Sequence, residues 1–134
     1  MIAFTKKAID LGIVTKDSQK ALEFYRDTLG FEYQGDMPIP GGHMYRLLCG
    51  DSLIKIVEMK KPPEAEAAPG GLQGATGYRY WTISVNNLSE ILAACEAAGY
   101  EIPVPDTEIR PGVRIGFVED PDGNWIEFLN VEAA

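Results

Sequence analysis

Histidine and cysteine are almost missing from this sequence: 134 residues hold one histidine, His43, and two cysteines, Cys49 and Cys95. With a single imidazole, a Ser-His-Asp or Cys-His arrangement could centre only on His43, and nothing around it supports one. The two cysteines have no CxxC spacing and too few companions for a zinc cluster, and each lies in an apolar run, so both read as buried free thiols. No stretch approaches the ~20 apolar residues of a membrane-spanning helix. The start, Met-Ile-Ala-Phe-Thr-Lys-Lys, is too poor in apolar residues for a signal peptide, so the cytoplasm is the expected compartment. Positive charge is short as well. Twelve Lys and Arg face twenty Asp and Glu, a net charge of -8, the wrong sign for a nucleic-acid binder or for docking on an anionic membrane. Residues 1–66 hold 9 basic and 10 acidic side chains and residues 67–134 hold 3 and 10, so the halves carry -1 and -7, and all seven lysines fall in the first. Most of this charge reads as solvated surface. Phosphate loops are missing too: Gly70-Gly71-Leu72-Gln73-Gly74 fits neither GxGxxG nor a GK[ST] ending and reads as flexible linker. Asp120-Pro121-Asp122-Gly123-Asn124 has its glycine fourth, not sixth, which excludes an EF-hand and leaves a turn.

What is present is a duplication. The length favours one domain, 1–134, and 46% hydrophobic residues suffice for a core. Ser18–Leu29 carries a helical stripe of Ala21, Leu22, Tyr25 and Leu29 with Phe24 beside it, Asp17 or Ser18 capping and Gly30 stopping it; Leu88–Ala98 carries Leu88, Ile91, Leu92 and Cys95 between Asn87 as cap and Gly99 as stop. Strand-like runs flank each helix: Ala8–Val14, Phe31–Gly35, Met44–Cys49 and Leu53–Met59 around the first, and Tyr78–Val85, Tyr100–Val104, Arg114–Glu119 and Trp125–Asn130 around the second. Asp51 and Ser52 read as a tight turn, Pro38 to Gly42 as a loop and 60–76 as a mobile linker. The halves, 1–59 and 77–134, align so that Asp10 matches Tyr80, Asp17 matches Asn87, Gly30-Phe31-Glu32 matches Gly99-Tyr100-Glu101 and Lys55 matches Glu127. The fold expected is α+β: duplicated βαβββ modules forming a curved, open eight-stranded sheet around a cavity.

Two stretches carry a family resemblance. Ile9-Asp10-Leu11-Gly12-Ile13-Val14 with Ala21 to Glu32 (Ala-Leu-Glu-Phe-Tyr-Arg-Asp-Thr-Leu-Gly-Phe-Glu), and Asp120-Pro-Asp-Gly-Asn-Trp-Ile-Glu-Phe128, resemble the opening module and closing hairpin of the vicinal oxygen chelate superfamily, which includes glyoxalase I, bleomycin-resistance proteins and extradiol dioxygenases. The resemblance covers nearly the whole chain apart from the linker. It implies a homodimer and, in many members, one divalent metal held by four inward His or Glu side chains. Carried over position by position, these are Asp10, Lys55, Tyr80 and Glu127, of which only Glu127 is of the expected type. An ammonium offers three donors and no lone pair, so Lys55 in such a set argues against a metal cofactor. The arrangement expected instead puts the Lys55 ammonium in the place of the metal charge, between Asp10 and Glu127, as ligand contact or as a structural ion pair.

Strand alternation gives Tyr80 and Trp125 the parity of these positions and puts Trp81 under a helix. His43 reads as a surface loop residue, or as a ligand contact at a pocket mouth; Arg79 and Arg114 read as edge residues or as partners of an anionic ligand. Two functions follow. In one, the protein is a metal-free binder of a small aromatic or amphipathic molecule, contacted by Asp10, Lys55, Tyr80, Trp125 and Glu127. In the other, it is an isomerase or lyase of the glyoxalase type, metal-dependent or with Lys55 in the metal's place, Glu127 taking a proton next to a carbonyl, Lys55 stabilising the enolate and Tyr80 donating to its oxygen.

Overall fold

The computed structural model describes residues 1–132; the last two residues of the second module as bounded from the sequence lie outside them. The chain divides into two units, Met1–Ala65 and Glu66–Ala134. In the first, strand β1 (Asp10–Val14) leads into helix α1 (Ser18–Leu22), followed by β2 (Glu32–Ile39), β3 (Gly42–Cys49) and β4 (Ser52–Met59). In the second, a one-turn helix α2 (Gly71–Gly74) precedes β5 (Tyr80–Ser84), α3 (Leu88–Ala97), β6 (Val104–Arg110), β7 (Val113–Glu119) and β8 (Trp125–Val131). Each unit is one four-stranded mixed sheet, in the orders β1-β4-β3-β2 and β5-β8-β7-β6, so βαβββ occurs twice with the same topology. The first and last strands of each module run parallel and the others antiparallel.

Each sheet buries one face against its own helix. Leu47, Ile54 and Ile56 pack in the first unit with Ala21, Leu22, Phe24 and Tyr25. In the second, Val118, Ile126 and Phe128 do so with Leu88, Leu92 and Cys95. Burial pushes the Cys95 thiol up to about 11 and raises that of Cys49, as expected of inert thiols. Gly116 lies under Leu92, where a Cβ would come within 2.6 Å of a Leu92 methyl. No helix among the described residues is long and apolar enough to cross a membrane.

Several local expectations change. The first helix is α-helical only to Leu22; Glu23–Thr28 is π-helical, with the Leu29 amide bonded to the Phe24 carbonyl. The wider turn lets two successive aromatic residues, Phe24 and Tyr25, both face the core, edge to face with centroids 4.7 Å apart. Pro38 to Gly42 is no loop: β2 and β3 pair through Ile39 and Gly42, and only Pro40 and Gly41 turn the chain. Pro38 fits because β2 is an edge strand, where a missing amide hydrogen costs little, and Pro40 takes the first position of the turn. The turn before β4 is Gly50-Asp51, with Gly50 at φ +57, since Ser52 already pairs with Cys49. In the second unit the third-element strand runs over Val104–Arg110 in place of Tyr100–Val104.

Candidate functional site

The sheet face opposite each helix is where the candidate residues lie. In the first unit, register places Asp10 beside Leu53 and Gly12 beside Lys55, so Asp10 and Lys55 share that face. The Lys55 ammonium sits 3.6 Å from one oxygen of Asp10, and Lys6 donates to the other. The Lys6 hydrogen bond, with the charges of Lys6 and Lys55, holds the Asp10 carboxyl below the usual carboxylate range.

The second unit carries an aromatic cluster on its corresponding face. Tyr80 pairs in register with Trp125, and Phe117 bridges them, its ring centroid 5.4 Å from Tyr80 and 5.5 Å from Trp125, both edge to face. Tyr80 is half exposed, and its hydroxyl has no hydrogen-bond partner among the described residues. The Trp125 indole N–H donates to Glu119 at 3.3 Å. Thr82 donates to Oε1 of Glu127 at 2.7 Å, on the same face. Where β5 and β8 end, an open depression of about 540 Å³ is lined by Ser84, Val85, Asn86, Asn87, Leu129 and Val131, of which Ser84 and Leu129 continue the face of Glu127.

Sequence reasoning missed a strap over this cluster. Arg79 donates to the carbonyls of Gly71 at 2.7 Å, Ala68 at 2.9 Å and Pro69 at 3.2 Å. That fixes part of the stretch read as mobile linker and turns Gly71–Gly74 into a helical turn. Gly71, at φ +53, lies against the indole so closely that a Cβ there would fall 2.2 Å from the ring. One side of Trp125 is thus covered by backbone, and only glycine fits. A Gly-Gly pair just before Leu72, with an arginine eight residues on, was the signal available in the sequence.

The other candidates are committed elsewhere. His43 is on β3, in register with Glu58 and so on the face opposite Lys55, with its Nε2 2.6 Å from Asp36. Tyr33 donates to the second oxygen of Asp36 at 2.7 Å; the Tyr33 and His43 hydrogen bonds lower the Asp36 pKa, and Tyr33 itself is raised. Arg114 binds Asp106 at 2.7 Å and approaches Glu108 at 3.8 Å. Trp81 pairs with Ile126, which gives it the helix-side parity expected of it.

The four positions that the resemblance assigns to a metal do not form a donor set for one. Lys55 brings a cation where a lone pair is needed, and Asp10 already serves two ammonium groups. Within neither unit, among the described residues, do three His, Cys, Asp or Glu side chains gather to hold an ion.

Two like modules, each a mixed sheet backed by one helix, with side chains held on the open face, define the class of duplicated βαβββ proteins. Residues 8–128 match the model of the Glyoxalase/Bleomycin resistance protein/Dioxygenase superfamily, and the chain belongs to that superfamily. Solved structures agree on the fold. A glyoxalase family protein from Bacillus cereus superposes with a TM-score of 0.84 at 15% identity, over 98% of this chain and 97% of that one. Glyoxalase I from Leishmania major gives 0.68 at 22%, over 90% and 84%. TnmS3, an antibiotic binding protein from Streptomyces sp. CB03234, gives 0.68 at 20%, over 98% and 99%. A search of curated proteins returned no match.

Proposed function

We propose that this protein binds a small aromatic or amphipathic molecule without a metal ion. The observation that carries the reading is the face of the second unit, where half-exposed Tyr80 and partly exposed Trp125, braced by the buried Phe117, form an apolar surface beside the Glu127–Thr82 pair and the open depression. Apolar surface with a few fixed polar groups is the ordinary make-up of a small-molecule site. Tyr80 and the uncovered part of Trp125 stack on the ligand, and Glu127 anchors a donor on it. The likeness of fold to an antibiotic binding protein supports this reading, and the donor chemistry of Asp10 and Lys55 supports metal independence. The reading includes a cytoplasmic homodimer, the second half of which sedimentation velocity tests.

The test follows the emission of Trp125 in a Trp81→Phe background while a panel of aromatic and amphipathic compounds is titrated. Saturable quenching that EDTA leaves unchanged is expected. Binding that disappears with EDTA and returns with one equivalent of a divalent ion would refute metal independence, and no saturable change with any compound would refute the binder.

A second reading rests on Glu127. Thr82 occupies only Oε1, which leaves Oε2 to accept a proton from a carbon next to a carbonyl, as an isomerase or lyase requires. On that reading Glu127→Gln abolishes turnover of any identified substrate and leaves its affinity within about threefold. Full activity in that variant would remove Glu127 as the base.

A further inference from the structure

One row of residues crosses the whole first sheet on the face opposite its helix. In register it reads Gly35 on β2, Arg46 on β3, Lys55 on β4 and Gly12 on β1. Two cations stand directly opposite each other on neighbouring strands, an arrangement that by itself destabilises a sheet. They are compensated only in part. Arg46, half-buried, has no ion pair or side-chain hydrogen bond among the described residues. The carboxylate partner of Lys55 is Asp10, 3.6 Å away and already shared with Lys6. On β2, Asp36 pairs with Tyr45 in register and is held by Tyr33 and His43, and Glu32 forms no ion pair with Arg46. Lys6 and Lys55 thus share the one carboxylate of Asp10 and Arg46 has none among the described residues, in a chain whose net charge is -8.

The flanks of the pair are open. A Cβ added at Gly12 or at Gly35 would meet nothing within 4 Å, so the cationic pair is bordered on both strands by free space. A planar guanidinium beside an ammonium, with room around both, matches the geometry of a carboxylate or phosphate, which takes two parallel hydrogen bonds from Arg and a point charge from Lys.

We propose that Arg46 and Lys55 form an oxyanion-binding site on the first sheet, which takes a carboxylate or phosphate-type group of a small aromatic molecule. This rests on the reading that the protein binds small aromatic or amphipathic molecules, and it adds the charge that such a ligand carries when it docks on the first sheet. Arg46 supplies the fork, Lys55 the second charge, and Asp10 holds the ammonium in place.

The experiment uses two fluorescent probes of the same aromatic shape, 8-anilinonaphthalene-1-sulfonate and its uncharged counterpart N-phenyl-1-naphthylamine, with the intact chain and with Arg46→Gln and Arg46→Lys. The expected result is a loss of about tenfold in sulfonate affinity in Arg46→Gln, recovery of most of it in Arg46→Lys, and uncharged-probe affinity within about twofold in all three proteins. Competition against the bound sulfonate separates the sources of the anion: 1-naphthoate and 1-naphthyl phosphate displace it better than 1-naphthol, and the stronger of the two names the group. Equal losses for both probes, no loss for either, or 1-naphthol competing as well as the anions would overturn the oxyanion site while the binder reading stands. Failure of both probes to bind the unmodified protein would instead remove the binder reading, and this inference with it.

Discussion

At the scale of single residues, Gly71 decides how Trp125 is presented. Its positive φ and its approach to the indole leave no room for a side chain, and the Arg79 guanidinium holds the carbonyl of the same residue. Gly71→Ala therefore has two costs, a strained backbone and a clash with the ring, together about 1–3 kcal/mol. Urea unfolding should show that loss, and the Trp125 emission of the folded variant in a Trp81→Phe background should shift to longer wavelength as the strap lifts. An unchanged spectrum with unchanged stability would mean that the strap does not cover the indole in solution. The sequence placed Trp125 and Tyr80 on one face by alternation alone. It could not show that one of the two rings was half covered, because the covering residue lies more than fifty positions away and has no side chain.

At the scale of elements, the duplication reaches the helix caps. In the first unit Glu58 on β4 accepts the amide hydrogen of Ser18 at 2.9 Å, and in the second Asn130 on β8 accepts that of Leu88 at 3.2 Å. These are matching positions, since Lys55 aligns with Glu127 and Asp17 with Asn87. Asp17 also caps α1 locally, through the Lys20 amide. Asn87, its counterpart, makes no side-chain bond to a helix amide; it donates to Glu90 instead. The sequence-based assignment of Asn87 as the cap thus moves to Asn130, a residue from the far end of the module. Asn130→Ala should cost about 1 kcal/mol in thermal or chemical melts, and Asn87→Ala a few tenths. The reverse order of the two variants would restore Asn87 as the cap. Local sequence cannot show such a cap, because the fold brings Asn130 to the helix start across 42 positions.

Over the whole molecule, charge is the property with a measurable consequence. Asp10, Asp27 and Asp36 are all held below the ordinary carboxylate value, by hydrogen bonds from Lys6, from Arg26, and from Tyr33 and His43 respectively. An acid whose pKa is lower in the folded state binds fewer protons there than when unfolded. Its contribution is complete above the ordinary value of about 4 and is lost as pH falls through the lowered one. The melting temperature should therefore drop below pH ~4, and Asp36→Asn should make that drop shallower. All three groups lie near solvent, so each contribution is small. Melts from pH 2 to 6 that superpose for the two proteins after normalisation would exclude Asp36 from the effect.

The amino-acid order alone determined the repeated βαβββ plan, the two apolar helix faces, the stops at Gly30 and Gly99 and the turn at Asp120–Asn124. Each of these is written in periodicity or in residues with restricted backbone preferences, and such signals act over a few neighbours. It also brought Asp10 and Lys55, and Tyr80 and Trp125, to shared faces, because strand alternation is a local rule. Tertiary structure decided the rest: the π-helical turn that seats Phe24 and Tyr25 together, the strap latched by Arg79, the distant caps and the Gly35-Arg46-Lys55-Gly12 row. Each depends on which strand lies beside which and in what register. Register is set by the packing of a whole sheet against its helix, and no short window of sequence contains it.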